Sequence, residues 1–281
     1  METPRIDSHQ HFWRYSAAEY GWIDEPMAAL RRDFLPADLK PRLDAAGLDG
    51  CIAVQAPQTL AETRFLLDLA KQHPWIRGVV GWVDLQSPEV DVQLREFSRN
   101  PRFVGVRHIA QAEPDRFLVG DAFQRGLAAL APYDLVYDLL VFPHQLPAAI
   151  ELVDRFPGQR FVLDHAAKPT LRTGELDGWA AAIAALARHR NVSCKVSGLA
   201  TEADWASWTP AGLHRAFATV RDAFGPDRLL FGSDWPVCLC ASDYQRWVDT
   251  VAGWCADLTV AEQDGVFGGN ALQLYRLPKP R

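Results

Sequence analysis

Three histidines and one aspartate in this chain sit where apolar runs end, the places from which side chains reach solvent together. His9 and His11 close the run Arg5–His9. Residues two apart on a strand point the same way, so both imidazoles face one edge. Two ring nitrogens at that spacing form a corner for zinc or a similar ion, although a His-x-His also arises by chance. Asp234, in Phe231-Gly-Ser-Asp-Trp-Pro, follows the apolar run that begins at Arg228 and brings a carboxylate. Its other reading is an N-cap for the next turn. His165, in Leu163-Asp-His-Ala-Ala-Lys-Pro, ends a third run and is expected to face the same opening, with Asp164 turned away toward the helices. Three nitrogens and a carboxylate suit one zinc ion better than calcium or magnesium. A carboxylate so placed can also take a proton from water.

Two cations belong in the same region. Arg107 ends the run Phe103–Ile109, and Lys195 lies within Val192–Ser197. Either can bind substrate oxygens or polarise a carbonyl, and either can instead close an internal ion pair. Ten tryptophans are many for 281 residues. Trp13, Trp22, Trp82 and Trp235 fall near run ends or in the segment after the first run, where flat indoles suit the apolar face of a sugar or lactone ring. Core packing accounts for them equally well. The five cysteines are odd in number and lack CxxC pairs, as expected of free thiols in a reducing compartment. Cys238-Leu-Cys240 has no second pair with which to complete a metal corner.

What positions these groups is a repeated pattern of short β-branched or aromatic runs followed by amphipathic stretches. The strands are expected at Arg5–His9, Gly50–Gln55, Val79–Leu85, Phe103–Ile109, Leu135–Val141, Arg160–His165, Val192–Ser197 and Arg228–Ser233. Helical spacing runs through Ala61–Gln72, Val90–Ser98, Asp121–Leu130, Gln145–Arg155, Leu176–His189 and Pro210–Phe224, and again around Tyr244–Ala256. Gly47, Gly158 and Gly225 stand where helix C-caps are expected. Such alternation predicts an α/β protein with a parallel sheet, here a single (β/α)8 TIM barrel over residues 1–281 with a long loop, His11 to Leu35, after strand 1. No GxGxxG follows the first strand, which argues against a dinucleotide site.

A net charge of −6 without a basic stripe disfavours nucleic acid as a partner. No apolar run reaches the roughly 18 residues of a membrane span. Met1-Glu-Thr-Pro-Arg-Ile-Asp lacks the apolar core of a signal peptide, so a cytoplasmic location is expected. The oligomeric state is left open.

Ile6-Asp-Ser-His-Gln-His-Phe-Trp, Gly81-Trp-Val-Asp-Leu, Gly105-Val-Arg-His, Leu163-Asp-His-Ala-Ala-Lys-Pro, Cys194-Lys-Val-Ser-Gly-Leu and Phe231-Gly-Ser-Asp-Trp-Pro together resemble the amidohydrolase superfamily. Within it they are most similar to the branch that holds sugar lactonases. The resemblance runs from Ile6 to about Tyr275. It implies a distorted barrel and hydrolysis of a sugar-derived cyclic ester, an L-fuconolactone-like small molecule. The superfamily's metal-binding histidines and aspartate correspond to His9, His11, His165 and Asp234. Its strand-5 histidine has no counterpart in Val136-Tyr-Asp-Leu-Leu-Val, and strand 4 offers Arg107 in place of a metal-bridging lysine or glutamate. A single divalent ion (Zn2+) is therefore implied rather than a pair, and the branch includes members regarded as metal-independent. The expected mechanism has Asp234 activating water, with His165 and Arg107 assisting at the carbonyl and Arg107, Lys195, Trp22, Trp82 and Trp235 holding the sugar. Two alternatives stay open: a metal-dependent decarboxylase of the same superfamily, and a non-catalytic protein that binds a sugar acid.

Overall fold

The computed structural model describes residues 3–278. Eight parallel strands are hydrogen-bonded in sequence order. They are β1 (Ile6–Gln10), β2 (Gly50–Val54), β3 (Ile76–Gly81), β4 (Phe103–His108), β5 (Val136–Leu139), β6 (Phe161–Leu163), β7 (Val192–Val196) and β8 (Leu229–Phe231). The seam between the first and last strands is closed by His11 N–H donating to the Trp235 carbonyl at 2.7 Å and Asp234 N–H to the His9 carbonyl at 2.8 Å. The result is the expected (β/α)8 barrel. Among the described residues, no helix is long and apolar enough to cross a membrane.

Helices α1 (Pro36–Ala45), α2 (Leu60–Gln72), α3 (Val90–Phe97), α4 (Asp121–Ala128), α5 (Leu146–Arg155), α6 (Asp177–Ala187), α7 (Pro210–Phe224) and α8 (Tyr244–Trp254) form the outer ring. Local chemistry fixes their ends. The Thr59, Thr209 and Asp243 side chains accept the N–H groups of Glu62, Gly212 and Arg246, satisfying donors that the first helical turn leaves free. Gly225, at φ 76°, ends α7 as expected, and Gly47, at φ 64°, follows α1. Gly158 does not cap; Phe156 ends α5. The loop His11–Leu35 runs without a regular α-helix until Pro36 opens α1.

Strand β3 departs from expectation, ending at Gly81 rather than Leu85. The Thr63 hydroxyl bonds both the N–H and the carbonyl of Trp82 at 2.8 Å, taking that backbone out of the ladder. Two short helices, α9 (Val260–Asp264) and α10 (Asn270–Leu274), follow α8. Tyr275 and Leu277, just beyond α10, join Ile6, Ile52, Val54, Val80, Val136, Val162 and Leu230 in a separate apolar cluster inside the barrel. The barrel interior is thus plugged toward its N-terminal end, and the cavity over the strand ends lies on the C-terminal side.

Two backbone features direct the functional side chains. The β1–β2 register shifts between Asp7 and Gln10. Ile6 packs in the inner cluster before this shift, and His9 and His11 point inward after it. On β8, Leu230, Gly232 and Asp234 share the inward face. A Cβ on Gly232 would lie 2.8 Å from the His9 Cβ and 3.2 Å from the Ser197 Cβ. Gly232→Ala is therefore expected to cost about 1–3 kcal/mol by overpacking. Urea unfolding should show it as a lower midpoint; a midpoint equal to the parent's would mean the two strands yield without cost.

Candidate active site

The site is built upward from a buried ionic stack. Tyr275 donates its hydroxyl proton to Asp138, at 3.0 Å to Oδ1. Lys195 Nζ lies 2.5 Å from Asp138 Oδ2, 3.0 Å from Asp164 Oδ1 and 3.2 Å from His9 Nδ1. Arg107 Nη1 donates to Asp164 Oδ2 at 3.2 Å, and its Nη2 donates to the Gln55 carbonyl. Lys195, Asp138 and Asp164 have no solvent exposure. Burial pushes the Asp138 carboxyl up to about 6 against the pull of Lys195. Burial also opposes ionisation of Asp164, but Lys195 and His9 outweigh it and hold that carboxyl well below the usual range.

Above this stack the four expected residues converge. His9 Nε2 lies 3.2 Å from His11 Nε2. Asp234 Oδ1 lies 3.8 Å from His9 Nε2, 3.4 Å from His11 Nε2 and 3.8 Å from His165 Nε2. Each imidazole is anchored through its other nitrogen: His9 Nδ1 on Asp164 Oδ1 at 3.3 Å, His11 Nδ1 on the Val54 carbonyl at 2.8 Å and His165 Nδ1 on the Ser197 hydroxyl at 2.8 Å. A proton on Nδ1 leaves the Nε2 lone pair facing the common centre. Burial drives His9 well below the usual histidine range and takes His165 down to about 4, so both rings are neutral near pH 7. Burial would raise Asp234, but His165, His11 and His9 outweigh it and keep the carboxylate ionised.

This donor set fits a metal. Zinc–nitrogen bonds of about 2.1 Å place tetrahedral ligand atoms roughly 3.4 Å apart. The 3.2–3.8 Å separations around Asp234 Oδ1 and the two strand-1 nitrogens bracket that value. His9, His11 and Asp234 also form a group whose ligand atoms all lie within 4.8 Å of one another.

His165 reaches the centre by an unexpected route. Val162 faces the barrel interior, so alternation sends Asp164, not His165, inward. Asp164 therefore does not turn toward the helices but pairs with His9, Lys195 and Arg107. The chain then turns left-handed through His165, Ala166, Ala167 and Lys168, with φ between 50° and 58°. A non-glycine residue in that region costs roughly 1–2 kcal/mol, so four in succession need support. Trp179 Nε1 donates to the Ala166 carbonyl at 2.7 Å. Gly198 leaves room that a Cβ would fill 2.8 Å from His165 Nδ1.

A cavity of about 390 Å³ opens over this centre, within the usual range for small-molecule sites. Arg107, His11, His165 and Asp234 lie at its base, and Trp13 and Trp22 form one wall. Three expected sugar contacts do not line it. Lys195 closes the internal ion pair that was its other reading. Trp235 is fully buried, edge-on to Phe34 at 5.2 Å, and Trp82 is held outside the strand by Thr63. The cavity also contains residues that strand-end reasoning does not find: Trp205, Lys168 and Glu202, the last two 3.8 Å apart. Lys168 stood within the motif around His165, three residues on, and the left-handed turn brings both to one wall. His108 sits apart, bonded to Glu113 and stacked on Phe117. All five cysteines are unpaired.

The family model described as Amidohydrolase matches residues 6–277. An L-fucono-1,5-lactonase of Burkholderia multivorans is 45% identical over 292 residues, spanning 100% of this chain and 98% of that protein. An L-fucono-1,5-lactonase of Burkholderia ambifaria is 38% identical, covering 99% of this chain and 97% of its own length. A crystal structure of a Burkholderia multivorans amidohydrolase with bound zinc has a TM-score of 0.95 at 44% identity, with 98% of this chain and 100% of that chain covered.

Two measurements probe the arrangement. Purified protein dialysed against zinc should hold close to one ion per chain by elemental analysis, and the His9→Ala, His11→Ala double variant should hold almost none. Equal loading of the two would move the ion elsewhere. Lys195→Met strands two buried carboxylates, and breaking such a pair costs about 3–5 kcal/mol. Denaturant unfolding near neutral pH should show a loss of that size; a loss below 1 kcal/mol, roughly that of an exposed pair, would contradict the stack.

Proposed function

The chain belongs to the amidohydrolase family, and we propose that it is a lactonase that opens a sugar-derived 1,5-lactone of the L-fuconolactone kind to the free sugar acid. One observation carries the reading. An ionised carboxylate, Asp234, turns Oδ1 to three imidazole nitrogens at the base of a tryptophan-walled cavity.

The Asp234 carboxylate takes a proton from water as the water oxygen bonds to the lactone carbonyl carbon. The Arg107 guanidinium, fixed by Asp164 and the Gln55 carbonyl, faces the cavity and offsets negative charge on the carbonyl oxygen. Neutral His165 orients the water through Nε2. When the ring C–O bond breaks, the proton held on Asp234 passes to the departing ring oxygen, leaving a hydroxy acid. A divalent ion held by His9, His11 and Asp234 would supply Lewis-acid polarisation at the same point. Trp13, Trp22 and Trp205 pack the apolar face of the sugar, while Lys168 and Glu202 bind its hydroxyls. The reading extends to one catalytic domain over residues 1–281, a small-molecule partner rather than nucleic acid or membrane, and a cytoplasmic setting that suits unpaired thiols.

Asp234→Asn preserves the shape but cannot accept the proton. In a pH-stat assay with L-fucono-1,5-lactone, kcat should fall by about 10² to 10⁴, with zinc content measured in the same sample. Binding of a non-hydrolysable lactam analogue should change by less than tenfold. A folded, equally metal-loaded variant with near-normal kcat would remove Asp234 as the base.

A further inference from the structure

At the opposite end of the barrel lies a second cavity, of about 530 Å³. Arg160 and Arg228 immediately precede β6 and β8, Arg190 leads into β7, and Arg276 follows α10; all four line it. Among the described residues, the only carboxylate in that lining is Asp227. Asp134, behind it, pairs with Arg160 at 2.9 Å and with Arg276. Among the described residues, four guanidinium groups thus meet two acids on a chain whose net charge is −6.

Asp134 offsets part of the charge on Arg160 and Arg276, and Arg190 and Arg228 make no ion pair among the described residues. Arg228 is buried, with Nε on the Phe224 carbonyl at 2.9 Å and Nη1 on the His189 and Val192 carbonyls at 3.0 Å. Its Nη2 has no hydrogen-bond partner among the described residues. Arg190 likewise has neither an ion pair nor a side-chain hydrogen bond among them. Burial first, and then Arg190, lower the proton affinity of Arg228; burial lowers that of Arg160, with Asp134 opposing it and Arg276 adding to it. Arg276 itself sits at φ 50°, a left-handed conformation that arginine seldom adopts. Ser193 adds a half-buried hydroxyl to the same wall.

We propose that this cavity binds a phosphate group, free or as the monoester of a small metabolite, at a site separate from the lactone cavity. Planar guanidinium forks donate pairs of hydrogen bonds to phosphate oxygens, and a dianion relieves the repulsion between the arginines. Arg228 is the fixed donor, Arg190 and Arg276 the outer clamp. The site lies across the full barrel from Asp234, so occupancy adds stability without entering the reaction.

Isothermal titration and thermal unfolding of the full-length protein with inorganic phosphate, at ionic strength held constant with chloride, test this. Phosphate should raise Tm where chloride does not. The Arg190→Gln, Arg276→Gln double variant should weaken phosphate binding about tenfold or more, since it removes charge-assisted hydrogen bonds, which are the stronger kind. Its lactone hydrolysis in phosphate-free buffer should match the parent's. Glycerol 3-phosphate in parallel separates the sources: equal affinity assigns recognition to the phosphate alone, and tighter binding assigns it to a monoester. The proposal is overturned if phosphate gives no more than chloride, or if its effect survives in the double variant.

Discussion

Everything at the mouth of this barrel depends on the burial of one ammonium group. Lys195 has no access to water, and its charge is tolerable only because Asp138 and Asp164 flank it. Asp138 is anchored from below by the Tyr275 hydroxyl, and Asp164 is shared above with Arg107 and His9. The consequences run upward. Asp164 sets the Nδ1 side of His9, which fixes where its Nε2 points, which in turn sets the distance to His11 and Asp234. They also run downward, because Tyr275 reaches Asp138 only when the segment after α10 plugs the barrel. Fold closure at one end and ligand geometry at the other are two ends of a single electrostatic column.

The barrel was largely legible in the sequence because its strands are short apolar runs separated by well-capped helices. All eight appear, displaced by more than a residue or two only at β3, where the competing bond is a side-chain hydroxyl that alternation does not register. His9, His11 and Asp234 were legible for a simpler reason: strands 1 and 8 meet at the seam of any closed barrel. His165 was found, but with the wrong parity. The sixth strand gives its inward place to Asp164, and His165 arrives through consecutive left-handed residues, Ala166 and Ala167 among them, that carry no glycine to announce the turn. Lys168 and Glu202 were missed because loop side chains have no period. Lys195 was ambiguous because inward direction alone does not separate a cavity wall from the packed layer below it.

The tryptophans divide along the same line. Trp235 sits next to Asp234 in sequence yet packs into the layer behind the seam against Phe12 and Phe34. Trp22, far from any strand end, is 44% exposed and stands at the rim. An indole's size makes it as useful to a core as to a sugar, so composition raises both readings equally. Only its position relative to the seam decides between them.

That seam explains why stability and chemistry are hard to separate here. Asp234 N–H bonds the His9 carbonyl, His11 N–H bonds the Trp235 carbonyl, and Ser233 N–H bonds Asp7 Oδ1. The Ser233 hydroxyl accepts from Trp235 N–H, so the residues on either side of the aspartate are both committed to closing the barrel. Asp234 takes a left-handed φ of 57° within this run, and the conformation persists because each neighbour is bonded in place. A barrel whose first and last strands drifted apart would lose these bonds and the 3.4 Å approach of Asp234 to His11 together. The carboxylate is thus positioned by barrel closure itself, which gives it the rigidity that catalysis at a fixed water requires.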